Sequence, residues 1–457
     1  MEALQYARSH QDAFLEELKT FLRIPSVSTQ AERKADIQRA AAWLRDRLLD
    51  AGFPKAEVMP TGGHPVVYAE WTEAGPGAPT VLVYGHYDVQ PPDPMELWRT
   101  PPFEPTIVGD DIFARGASDD KGQLYTHVKA IEAFKETSGG PPVNVKCIFE
   151  GEEESGSPSL EPFIREHQNM LQADVALISD TGFLGKGLPS IVYGLRGLAY
   201  LEVELTGPDH DLHSGIYGGA VLNPINALCA LVAQLQDDNG RIIIPGFYDN
   251  VEGLSAHERA ELAEVPFDRE EWLNEAGVIT DWGEPEYTIL ERTVARPTLD
   301  VNGIWGGYIE PGAKTVLPSK AFAKISMRLV PHQDPQRIAD LVSARIKELA
   351  PRAVDVKVRA LHGGEPAIVD RDSPMMEAAS KAYEDAFGKA PLLVRRGGSI
   401  PVVAKLQQIL GIETILMGFG LPDDRLHSPN EKFHLPHFFK GIETSIHFMH
   451  NLGQLSR

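Results

Sequence analysis

Cysteine is almost missing from this 457-residue chain, which has only Cys147 and Cys229. Two thiols cannot build a disulfide framework, so a reducing, cytoplasmic setting is the expectation. Basic charge is also scarce: 43 Lys and Arg against 65 Asp and Glu leave a net charge of -22. That balance excludes a nucleic-acid partner, because displacing the counterions of a phosphate backbone needs a basic surface. No apolar run approaches the length of a membrane span, and the first residues lack both a basic stretch and an apolar one of the kind that targets a chain for export. Internal repeats and low-complexity tracts are absent too. What remains, 42% hydrophobic and 24% charged residues, is the composition of a globular protein, and its length calls for at least two domains.

Periodicity divides the chain. Helical spacing over 3–22 and 37–51 is followed by a nearly unbroken apolar run, Val81-Leu82-Val83-Tyr84, and by a second, Val175-Ala176-Leu177-Ile178. Such runs are strands buried on both faces, and their alternation with helices predicts an α/β domain with a mostly parallel mixed sheet. Past Arg196-Gly197 the pattern changes, since 199–205 and 321–329 alternate cleanly, as strands with one solvated face do. This predicts a smaller α+β domain over 197–371, inserted between the two parts of the first, 1–196 and 372–457.

The densest chemistry lies at 145–156, where an apolar strand pattern runs into Glu150-Gly151-Glu152-Glu153-Glu154-Ser155-Gly156. Adjacent carboxylates at a buried strand tip repel one another and resist desolvation, and a cation is the simplest remedy. Other strand ends carry matching groups: His86 and Asp88 after the 80–84 strand, and Asp180 after 175–178. Asp119 before a helix and His427 near the C-terminus complete a set rich in N and O donors and empty of thiolate, which suits zinc, with manganese or cobalt as substitutes. Spacing alone leaves open which of Glu152, Glu153 and Glu154 would bind metal and which would handle protons.

Six stretches in order carry a resemblance: Gly85-His86-Tyr87-Asp88, Gly116-Ala117-Ser118-Asp119-Asp120-Lys121-Gly122, the Glu150–Gly156 run, Asp209-His210-Asp211-Leu212-His213-Ser214-Gly215, Arg396-Gly397-Gly398-Ser399-Ile400-Pro401 and His427-Ser428-Pro429-Asn430-Glu431. Together they resemble the two-zinc metallopeptidase family of aminoacylase and glutamate carboxypeptidase, and Tyr193-Gly194-Leu195-Arg196-Gly197 with Ser326-Met327-Arg328-Leu329-Val330-Pro331 also resemble its carnosinase-like cytosolic dipeptidase branch. The resemblance implies a catalytic domain with an inserted lid or dimerisation domain. It also implies two divalent ions, Zn2+ or else Mn2+ or Co2+, held by His86, Asp119, Glu154, Asp180 and His427, with Asp119 between them. Glu153 then matches the general base, Asp88 the residue that orients a ligand, and His213 a histidine that in dimeric members reaches the partner's active site. Arg328, Gly398 and Ser399 are the expected grip on a substrate carboxylate. The implied activity is hydrolysis of dipeptides or short peptides with a free C-terminal carboxylate by a homodimer. Deacylation of N-acyl amino acids is the enzymatic alternative, and a non-catalytic binding protein of the same fold is the non-enzymatic one. The resemblance gives Glu152 no role; it would face solvent or tune the base.

Overall fold

A computed structural model describes residues 1–455. The chain separates into two compact units, one comprising Met1–Tyr193, Val369–Val394 and Lys405–Arg457 and the other Gly194–Ile368 and Arg395–Ala404. The short segment Arg395–Ala404, which the sequence pattern assigns to the last part of the catalytic domain, therefore packs with the inserted unit.

In the first unit, strands are ordered Lys55–Met59, Val66–Trp71, Asn144–Glu150, Thr80–His86, Val175–Ile178, Glu413–Leu416 and Ser190–Leu195. The four central ones, from Asn144–Glu150 to Glu413–Leu416, are mutually parallel, and the flanking pairings are antiparallel. Their apolar runs are buried throughout, as parallel strands covered on both faces must be. Helices Lys34–Asp50, Lys121–Ser138, Pro374–Phe387 and Leu435–Gly453 belong to this unit. In-register pairing sets His86 opposite Glu150, so two chemically loaded loops leave the sheet side by side at the carboxyl ends of parallel strands. Open α/β sheets bind ligands at such an edge.

The second unit is an antiparallel sheet ordered Thr298–Gly306, Lys320–Leu329, Gly197–Thr206 and Asp355–Gly364. Residues of Gly197–Thr206 and Lys320–Leu329 alternate between buried and half-buried or exposed along each strand. Their buried set, with Leu201, Val203, Ile325 and Met327, packs with Leu228 and Val342 from helices Pro224–Val232 and Pro335–Leu349.

Local sequence explains two departures from the expected elements. The helix expected over 3–22 breaks at His10, which leaves helical backbone angles and stacks its ring 3.9 Å from that of Tyr6. Strand Thr298–Gly306 escapes the periodicity because it lies at a sheet edge, with a register shift between Val301 and Gly303 that interrupts the alternation.

Candidate metal centre

The strand tip of Asn144–Glu150 continues into a short 3-10 turn, Glu153–Ser155. Asp88, fully buried two residues beyond its own strand, fixes that turn: Oδ1 accepts the N–H of Glu153 at 3.2 Å and Oδ2 that of Glu154 at 3.1 Å. One carboxylate thus sets the backbone of the two adjacent glutamates. His86, also fully buried, has Nδ1 3.2 Å from the carbonyl of Asp88 and 3.4 Å from its Oδ1. With the outer ring nitrogen directed at those acceptors, Nε2 faces the site, the arrangement usual for a ligating histidine.

Asp119 occupies the middle. Its Oδ1 lies 3.0 Å from His86 Nε2 and its Oδ2 3.0 Å from His427 Nε2, while His427 Nε2 is 3.2 Å from Glu154 Oε2. Two sets of three donors result, His86, Asp119 and Asp180 in one and Asp119, Glu154 and His427 in the other, each with its ligand atoms within 4.8 Å of one another. Donor atoms that share one ion at about 2.1 Å stand roughly 3.0–3.5 Å apart. The distances around Asp119 fit that spacing.

Electrostatics points the same way. Burial and then the Asp119 charge push Asp180 well above the ordinary carboxylate range, and burial does the same to neighbouring Asp120. Glu153 is pushed up to about 7 by burial first, with Glu154, Asp119 and Asp88 adding repulsion against the opposing charge of His86. Asp119 moves in the opposite direction, because hydrogen bonds from His427 and His86 outweigh the burial that would raise it. His427 rises to about 10 through its hydrogen bonds with Asp119 and Glu154. So many carboxylates crowded around two imidazoles make a site whose charge balance and donor types suit divalent cations.

Several further groups, to which the sequence motifs attach no role, support this arrangement. Glu431 is fully buried: Oε2 accepts from Arg115 Nη1 at 2.8 Å and the Gly116 N–H at 2.9 Å, and Oε1 from the N–H groups of Ser118 at 3.0 Å and Asp119 at 3.1 Å. It pins the loop that delivers Asp119, and its place in the last quoted motif was the available signal. Gln90 Nε2 donates to Glu154 Oε2 at 2.8 Å. Asp120, joined to Asp119 by a cis peptide, accepts the His86 N–H at 3.2 Å. Gly85 makes that approach possible, since a Cβ there would meet Asp120 Oδ2 at 2.8 Å and Leu124 Cβ at 2.7 Å. Glu152 neither faces solvent nor reaches the donor groups: it is buried, with Oε1 accepting the His64 N–H at 2.7 Å and Oε2 that of Ser159 at 3.1 Å.

The remaining candidates lie in the second unit. His213 is exposed, and its Nδ1 accepts the Gly215 N–H at 2.9 Å. A neutral ring so held carries its proton on Nε2, a donor. Arg328 Nη1 donates to Ser399 Oγ at 3.2 Å. Gly398 is exposed, and a Cβ there would meet nothing within 4 Å.

Comparison with known proteins supplies the deciding observation: residues 82–451 match the model of peptidase family M20/M25/M40. The chain belongs to this family. Among its M20 relatives, the Cys-Gly metallodipeptidase dug1 of Schizosaccharomyces pombe is 35% identical, over 98% of this chain and 97% of the relative. The human Beta-Ala-His dipeptidase is 33% identical, over 99% and 93% respectively. Among solved structures, the M20 family metallo-carboxypeptidase Sso-CP2 from Sulfolobus solfataricus superposes with a TM-score of 0.86 at 34% identity, covering 97% of this chain and 99% of that one. The family assignment and the mixed sheet with its second, smaller unit agree with the fold expected from sequence.

Proposed function

We propose that this M20 peptidase is a metal-dependent dipeptidase that cleaves the peptide bond of short substrates bearing a free C-terminal carboxylate. The observation that carries the reading is the pair of donor sets sharing Asp119, with Glu153 on the turn that also supplies Glu154. The names of relatives at 33–35% identity, both dipeptidases, support the choice of substrate size.

His86, Asp119 and Asp180 would hold one divalent ion and Asp119, Glu154 and His427 the other, with zinc the first choice and manganese or cobalt the substitutes. When bound, such ions supply Lewis-acid polarisation of the scissile carbonyl and acidify water. Glu153 takes the proton from the attacking water and returns it to the leaving amine, as a carboxylate on the turn that also carries Glu154 can. Asp88 keeps Glu153 in place through its backbone N–H. His213 offers Nε2–H to the oxygen that gains charge, from a partner subunit in a homodimer. Arg328 and Ser399 grip the substrate carboxylate, for which a guanidinium has matching fork geometry. With only two cysteines, a cytoplasmic setting is the one we infer, and the His213 role makes a homodimer part of the reading.

The test is a panel of dipeptides, N-terminally blocked dipeptides and N-acyl amino acids assayed with zinc, manganese or cobalt. Turnover of free dipeptides well above that of N-acyl amino acids is expected. Exclusive turnover of N-acyl amino acids would replace the reading with deacylation.

A further inference from the structure

Two guanidiniums meet at the Gly397–Ser399 turn, and only one of them has a role so far. Arg196 closes on this turn at several points: its N–H donates to the Arg396 carbonyl at 3.3 Å, its Nε donates to the Gly397 carbonyl at 3.2 Å, and its own carbonyl accepts from Ser399 Oγ at 2.5 Å. The same Ser399 hydroxyl accepts from Arg328 Nη1 at 3.2 Å. The Arg196 side chain lies so close over Gly397 that a Cβ there would stand 2.7 Å from its Nη2. Thus the Ser399 hydroxyl lies between the Arg196 main-chain carbonyl and the Arg328 guanidinium, while the Arg196 guanidinium sits on the adjoining Gly397.

Neither arginine has a carboxylate within ion-pair distance among the described residues. Other half-buried or buried arginines of this unit do: Arg296 forms a fork with Glu284, and Arg395 pairs with Glu258. Two half-buried cations near one another, with no carboxylate in ion-pair contact and only Asp300 acting on Arg196 from further away, are costly unless an anion joins them. Burial first, and then the Arg328 charge, lower Arg196 to about 10 against the opposing pull of Asp300. Beyond Nε, the Arg196 fork makes one hydrogen bond among the described residues, a long one from Nη1 to the Arg296 carbonyl at 3.5 Å. No nitrogen of Arg196 or Arg328 is among the buried, unsatisfied side-chain atoms of the described residues, so their spare N–H groups reach accessible space.

We infer that Arg196 is a second carboxylate-binding residue, which together with Arg328 and Ser399 receives the C-terminal carboxylate of the substrate. The inference rests on the dipeptide reading above and makes it more specific: a free, charged carboxylate is required, and an amide in its place is rejected by two cations rather than one.

Calorimetric titration separates the two claims. The probes are Ala-Gly and its C-terminal amide, titrated into zinc-loaded protein carrying Glu153→Gln to prevent turnover, alone and combined with Arg196→Met, Arg196→Lys or Arg328→Met. Ala-Gly binding should weaken at least 10-fold with Arg196→Met and recover much of that loss with Arg196→Lys. Amide binding should change less than 2-fold in both. Should Ala-Gly bind Arg196→Met within 2-fold of the parent, should both probes weaken equally, or should Ala-Gly fail to bind the parent, the inference is wrong. If the arginine dependence holds but the protein with Glu153 intact never cleaves Ala-Gly, the carboxylate site stands and the dipeptidase reading falls.

Discussion

Asp88 accepts the backbone N–H of Glu154 through Oδ2, while its other oxygen holds the N–H of Glu153. The backbones of the proposed base and of a proposed metal ligand are therefore both positioned by one buried carboxylate. Such outer groups commonly contribute 10- to 100-fold in metal affinity or activity. Asp88→Asn keeps one acceptor oxygen but presents an amide N–H₂ to the other backbone donor. A fall of roughly 10- to 100-fold in kcat is expected from the loss of that contact, with the change in KM much smaller. Steady-state kinetics on metal-replete protein would decide, and a kcat within 2-fold of the parent would remove Asp88 from this role.

Glu153→Gln retains shape and all backbone contacts but cannot carry a proton. Loss of a general base typically costs about 10²–10⁴ in rate. The variant should bind metal normally by elemental analysis and yet lose activity in that range. Equal loss of metal and activity would mean that Glu153 acts as a ligand.

His127 provides a test of pH dependence at a group that is not itself a proposed donor. It is fully buried, with Nε2 2.7 Å from Ser179 Oγ and Nδ1 2.8 Å from Ser445 Oγ, and burial lowers it to about 3. In the unfolded chain the ring titrates near 6.5. Between those values the unfolded state binds the extra proton, so stability from this group is complete above about 6.5 and is lost as pH falls toward 3. At pH 5 the loss is about 2 kcal/mol, from 1.4 kcal/mol per pH unit. Urea unfolding of the parent and of His127→Gln at pH 7 and pH 5 should show the smaller drop in the variant; parallel drops would contradict the assignment.

Glu431 is the carboxylate on which the 116–119 loop depends, with both oxygens doubly engaged. Breaking a buried ion pair by removing one partner costs about 3–5 kcal/mol. Glu431→Ala should lower unfolding stability by that order and weaken metal retention together, because the same N–H contacts seat Asp119. A variant that loses stability while holding metal at parental affinity would separate loop from ligand.

How far the sequence predicted these features depends on where the information lies. Buried parallel strands announce themselves, as Val81-Leu82-Val83-Tyr84 does, because both faces must be apolar. The edge strand Thr298–Gly306 does not, since exposure and a register shift erase its period. The proposed metal ligands lie at strand ends and in glycine-rich turns that short motifs mark well. By contrast, the roles of Glu152, Glu431 and Arg196 depend on backbone N–H and C=O groups brought close only by folding. Glu152 reaches the N–H of His64, a residue 88 positions away, and no local pattern encodes that contact.

The central claim, that two divalent ions share Asp119, is tested most directly by anomalous diffraction from manganese-soaked crystals collected with manganese as the only metal supplied. Two peaks are predicted, one among His86, Asp119 and Asp180 and the other among Asp119, Glu154 and His427. Peaks elsewhere, or none while the crystals keep these side chains ordered, would contradict it.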